Sequence, residues 1–168
     1  DIIKNCTFAE PQKEVEYSKK AVSLLKIASD IQPKFSRTWL FMGAFTNVLG
    51  AREENKDNKN KLLLEARNYL NKAIELSPKR QEFLIEMEKN YMLAEDYKAM
   101  EKLANDCVKI DSSVGECYWY LGLAQIFMGD QVDGKKNINL SKEKNYNDPS
   151  YLQLGVAYIS QKNYKDAS

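Results

Sequence analysis

Tyr118-Trp119-Tyr120-Leu121-Gly122-Leu123-Ala124, followed by Gly129-Asp130, returns as Tyr151-Leu152-Gln153-Leu154-Gly155-Val156-Ala157-Tyr158, followed by Lys162-Asn163-Tyr164. Leu154 stands 33 residues after Leu121, and a period of that length is the mark of stacked helical hairpins. Working backward, Glu95-Asp96-Tyr97 lies 34 residues before Gly129-Asp130-Gln131, behind a stripe of Leu84, Met87 and Tyr91. An earlier unit opens with Trp39, Met42 and Gly43 and closes with Ala66, Leu70, Ala73 and Pro78. A degenerate first unit closes with Ala21, Leu25, Ala28 and Pro33. Apolar residues at i, i+3, i+4 and i+7 make each helix amphipathic, and one hairpin cannot bury both faces alone.

These residues resemble the tetratricopeptide repeat pattern, W-x2-L-G-x2-Y followed by A-x3-F-x2-A and a closing proline. The resemblance runs from about residue 2 to the end. It implies an all-α, right-handed superhelical solenoid of antiparallel hairpins, about nine helices in one domain over 1–168. The units fall at about 2–35, 36–80, 81–114, 115–147 and a partial 148–168. Each slot has a physical reason. The glycine of Leu121-Gly122 and Leu154-Gly155 lets helix B of a hairpin approach helix A. A small residue early in helix B (Ala21, Ala66, Ala167) completes the contact, and Pro33 or Pro78 ends the hairpin because proline cannot continue a helix.

Some slots depart from the pattern. Glu88 takes the helix-A glycine position of the third unit and Met100 its small position, so that hairpin should be crowded and weak. Gly134 takes the small slot of the fourth. Pro11 falls inside the expected helix A of the first unit, which should be broken, shortened or replaced by upstream chain. The second unit carries an insertion over 51–61, whose polarity reads as an extended, solvated hairpin tip, with a docking loop as the alternative. The last unit lacks most of its helix B, leaving an apolar face that needs cover. The chain opens at Asp1 without a methionine and reads as a piece of a longer protein.

Composition narrows the chemistry. With 25 basic and 24 acidic residues the net charge is +1, which removes the electrostatic drive for sequence-independent nucleic-acid binding. The longest apolar run, Trp39 to Phe45, is far short of the roughly 20 residues a membrane span needs. There are no histidines, which excludes histidine general bases, His-assisted nucleophiles and most catalytic zinc sites. The seven glycines are dispersed, with no phosphate-binding loop among them. Carboxylates sit beside lysines on helix faces, as in Lys13-Glu14 and Glu101-Lys102, where helical pairing accounts for them. The expectation is a non-enzyme without cofactor or metal. Asn5-Cys6-Thr7 and Asn139-Leu140-Ser141 match the glycosylation pattern and carry no weight. Cys6, Cys107 and Cys117 read as buried or idle thiols. A Cys107–Cys117 pair, one ending a helix and the other beginning the next, is the alternative in an oxidising compartment. The compartment itself does not follow from these residues, and the lysine and asparagine content points to an AT-rich genome, bacterial or parasitic.

In proteins of this pattern the inner helices line a concave groove. Carried over by the resemblance, the partner-binding positions are Arg37, Leu40, Asn47, Ile85, Lys89, Met92, Trp119, Leu123, Ile126, Phe127, Leu152 and Val156. Where some co-chaperones of the family grip a C-terminal carboxylate with Lys, Asn and Arg, this chain has Leu40, Ile85 and Trp119, then Ala44 and Leu123. The mostly apolar set implies a protein or peptide partner, either an amphipathic helix or an apolar extended segment, with Trp119 and Phe127 as anchors. Self-association and a carbohydrate ligand stay open. More loosely, Ser36-Arg37-Thr38-Trp39, Leu76-Ser77-Pro78-Lys79-Arg80-Gln81 and Gly115 to Leu123 resemble the repeat region behind the membrane part of bacterial O-antigen ligase or polymerase-like proteins. That likeness implies a soluble accessory tail outside the cytoplasm.

Overall fold

The computed structural model describes residues 11–147 and 149–166. Among them are eight helices and no strand: α1 (Pro11–Ile31), α2 (Ser36–Arg52), α3 (Lys56–Leu76), α4 (Gln81–Leu93), α5 (Tyr97–Ile110), α6 (Gly115–Phe127), α7 (Gln131–Glu143) and α8 (Tyr151–Asp166). The part of the first unit's expected helix A before Pro11, Cys6 with its triplet, and Ala167 lie outside the described residues. Pro11 is the first described residue of α1, and the expected interruption of the first unit's helix A falls on residues outside the described ones.

Side chains cap the starts of several helices. Asn55 accepts from the N–H groups of Asp57 and Asn58, Asp96 from Ala99, and Asp130 from Asp133. Each satisfies N–H groups that have no intrahelical partner. The insertion is not an extended tip. Only residues 53–55 separate α2 from α3, and the rest of 51–61 lengthens those two helices to 17 and 21 residues, against 13 or 14 for α4 to α7. The capping asparagine and the alternating Lys-Asn-Lys run favour helix over a loop. Arg52 then reaches Glu14 of α1 at 2.6 Å, so the extension is tied to its neighbour.

The chain divides into two compact units at Ala94/Glu95, inside the third hairpin. Glu88 and Met100 flank that boundary, at slots where the other hairpins carry residues small enough for close approach. In the first unit α2 packs on both α1 and α3, with Met42, Leu63, Ala66, Leu70 and Ala73 buried. The close approach runs through Gly43: a Cβ there would lie 2.5 Å from Leu70 Cγ and 3.3 Å from the Ala66 carbonyl oxygen. In the second unit α6 packs on α5, α7 and α8. Its core is Met100, Ala104, Trp119, Leu121, Leu123, Ala124, Ile126, Ile138 and Ala157. Gly122 plays the part of Gly43, since a Cβ there would lie 2.8 Å from the Gly134 oxygen and 2.9 Å from Ile138 Cγ1.

Cys107 and Cys117 are both fully buried and are joined by a disulfide, with Cα atoms 5.7 Å apart, inside the range such bonds span. The end of α5 is thereby clamped to the start of α6. Asp111 in the turn between them accepts from the Ser113 hydroxyl at 2.6 Å and its N–H at 2.9 Å. Those hydrogen bonds hold its carboxyl below the usual aspartate range.

Candidate partner-binding surface

The positions expected to face a partner separate sharply by exposure. Trp119, Leu123 and Ile126 of α6 are each 0% exposed and belong to the core of the second unit. Trp119 lies against Tyr146 and edge-on to Tyr151, at centroid distances of 5.9 and 6.3 Å. Helix α8 and the segment leading into it cover the face of α6 that the repeat pattern assigned to a ligand. Trp119 is therefore a packing residue and not an exposed anchor. Ile85 of α4 is also buried.

Asn47 is buried for a different reason. Its amide nitrogen donates to Glu86 Oε1 at 2.9 Å, and its oxygen accepts from Asn90 Nδ2 at 2.7 Å. Asn90 Nδ2 also donates to the Leu63 carbonyl at 2.9 Å, and its oxygen accepts from Arg67 Nε at 3.0 Å. The Arg67 guanidinium sits 4.5 Å from the centre of the Tyr91 ring. This network pins α2, α3 and α4 together through polar atoms whose hydrogen bonds are strengthened by burial. Asn90, Arg67 and Glu86 carry no signal in the repeat pattern, because polar residues at those positions read as solvated helix faces. Lys89 pairs with Glu86 at 3.4 Å, and Arg37 with Glu82 at 3.6 Å. Leu40 and Met92 are half-buried.

On α3, Tyr69 donates to Glu65 Oε1 at 2.6 Å, and Lys26 of α1 donates to the same oxygen at 3.3 Å. Hydrogen bonding to Tyr69, reinforced by Glu65, holds the Lys26 ammonium above the ordinary lysine range. Burial, with the Glu65 hydrogen bond, pushes the Tyr69 phenol up as well.

Of these positions Arg37, Leu152 and Val156 are exposed, the last two in the second unit. Leu152, Val156 and Ile159 are 80%, 50% and 61% exposed, and their spacing places them on one face of α8. Nothing lies within 4 Å of a Cβ built at Gly155, so among the described residues no helix fills this notch as helices fill those at Gly43 and Gly122. Beside it is a concavity of about 640 Å³ lined by Glu95, Tyr97, Phe127, Met128, Val156, Ser160 and Gln161. The rings of Tyr97 and Phe127 stack in parallel, 4.2 Å between centroids. Gln161 donates from Nε2 to the Phe127 carbonyl oxygen, which ties α8 to the end of α6. Phe127 and Val156 were legible as candidates. Tyr97, Ser160 and Gln161 were not, since Tyr97 opens α5 while Ser160 and Gln161 lie within α8, and nothing in the repeat pattern marks them as neighbours.

The chain's helical hairpins superpose on a solved structure described as a thermophilic TPR protein from Thermus thermophilus. The TM-score is 0.72 at 17% identity, over 89% of this chain and 75% of that one. The fold is tetratricopeptide-like. No family model and no curated protein matches the sequence, so the looser likeness to ligase tails gains no support. Among the described residues of this tetratricopeptide-like chain, no helix is long and apolar enough to cross a membrane. No group of three or more His, Cys, Asp or Glu side chains is placed there to hold a metal ion.

Proposed function

We propose that this chain is a non-catalytic scaffold that holds a segment of a partner protein against its second unit, on the surface formed by Phe127, Leu152, Val156 and Ile159. The observation that carries this reading is the exposed aliphatic stripe of α8. Three large side chains on one helical face stay in water beside a concavity, and contiguous apolar surface of this kind marks an interaction site. The adjoining aromatic concavity supplies what a flat stripe lacks, a recess into which an anchor side chain can be desolvated.

The test is a photo-cross-linking amino acid placed at Val156, with a second protein carrying it at Lys19 on α1 as control. A protein captured at Val156 and not at Lys19, and lost when Leu152 and Ile159 are both changed to aspartate, supports the surface. Equal capture at both positions, or capture indifferent to the aspartates, sinks it. Cross-links only to a second copy would make the occupant the chain itself.

A further inference from the structure

The concavity beside α8 has a chemical bias that narrows what enters it. Its hydrophobic walls are the stacked rings of Tyr97 and Phe127 and the aliphatic side chains of Met128 and Val156. Its polar groups are arranged as acceptors. The Ser160 hydroxyl donates to the Ala157 carbonyl at 2.8 Å, which leaves its lone pairs available. Gln161 uses its nitrogen on Phe127, and its Oε1 lies beside Gly129. Glu95 adds a carboxylate. None of the described residues lining the concavity is a cation.

Glu95 itself is unusual. Its φ is +59°, in the left-handed region that disfavours side-chain-bearing residues. Thirty-four residues later the matching turn position is Gly129, with φ +94°, where glycine adopts such a backbone without penalty. A glutamate in that slot strains the turn and adds a carboxylate to the residues lining the concavity.

We infer that this concavity takes an arginine side chain of the partner segment. A guanidinium is planar, carries five donors and no acceptor, and stacks on aromatic faces. It thus matches two rings, a carboxylate and a set of acceptors in one recess. A lysine ammonium would satisfy the charge but cannot lie flat along the aromatic wall or offer the guanidinium's fork of donors. This assignment rests on the scaffold reading of the same surface.

The test titrates the whole chain, ¹⁵N-labelled, with N-acetyl-arginine amide, and separately with the citrulline and lysine analogues. The expected result is saturable shifts at the amides of Gly129, Ser160 and Gln161, with affinity for the citrulline analogue at least tenfold lower and for the lysine analogue several-fold lower. Glu95→Gly should lower arginine affinity about tenfold while raising the urea midpoint of the protein, a combination that a merely structural glutamate would not produce. Equal binding of arginine and citrulline analogues overturns the proposal, as does equal binding of the lysine analogue or arginine affinity unchanged by Glu95→Gly. If Val156 still captures its partner in Glu95→Gly while the arginine analogue fails to bind the wild type, the arginine assignment falls and the scaffold stands. If the arginine analogue binds as expected and Val156 captures nothing, the scaffold reading falls instead.

Discussion

Alanine at Gly122 should destabilise the protein, and alanine at Gly155, in the matching slot 33 residues later, should stabilise it. Both glycines are helical, so both substitutions gain the roughly 0.8–1 kcal/mol by which alanine exceeds glycine in a helix interior. The difference lies in what the new methyl meets. At Gly122 it lies 2.8 Å from the backbone oxygen of Gly134 and 2.9 Å from Ile138 Cγ1. A side-chain tip could swing aside, but a helix backbone cannot, so α6 and α7 must part. Overpacking of this kind costs about 1–3 kcal/mol, and with backbone involved the upper half of that range applies, for a net loss of about 1–2 kcal/mol. At Gly155 nothing lies within 4 Å, so a gain of about 0.5–1 kcal/mol remains. The two variants should differ by about 2–3 kcal/mol in urea unfolding followed by circular dichroism at 222 nm, provided their slopes agree. Effects of the same sign would refute the reasoning. A loss at Gly155 as large as that at Gly122 would mean that a helix fills the notch in solution.

The Cys107–Cys117 bridge closes a loop with a sequence separation of 10, which on chain-entropy grounds is worth about 2.5–3 kcal/mol; adding a reductant should lower the unfolding midpoint accordingly, and an unchanged midpoint would remove the bridge from the account. Asn90→Ala leaves the buried Asn47 oxygen without its donor and removes one hydrogen bond each from the Leu63 carbonyl and the Arg67 guanidinium. It should cost about 2–4 kcal/mol by urea unfolding, and a loss under 1 kcal/mol would show that water replaces the amide. Lys26 and Tyr69 both have folded pKa values raised above their unfolded ones, so their contribution is complete at neutral pH and disappears as the pH climbs past about 10. Tyr69→Phe should flatten that alkaline decline in a midpoint-against-pH series, whereas an unaltered decline would place its origin elsewhere.

The repeat was readable because its spacing encodes contacts within a hairpin. Gly122 and Gly134 meet across α6 and α7, as Gly43 and Ala66 do across α2 and α3, and each pair lies at a slot of the pattern. Glu88 and Met100 were legible as misfits for the same reason, and the division into two units falls between them. The insertion was misread because lysine and asparagine look alike in a loop and on a solvated helix. Only the Asn55 cap and the packing of Arg52 on Glu14 show that those residues extend α2 and α3. The asparagine network failed to register because Asn47 and Asn90 lie 43 residues apart in different repeats, and nothing in either repeat alone marks them as partners.

Helical period and the placement of small residues determined, from the sequence by itself, an all-helical chain of paired helices and which face of each helix meets its hairpin mate. Exposure was decided elsewhere. Whether an aromatic on the opposite face is buried or open depends on the next helix over, so Trp119 disappears beneath Tyr146 and Tyr151 while Leu152, Val156 and Ile159 stay in water. The concavity of Glu95, Tyr97, Phe127 and Ser160 likewise draws on the segment before α5, the end of α6 and the middle of α8. Only tertiary structure could assemble it, because a periodic pattern describes one helix at a time and a binding site is made where several meet.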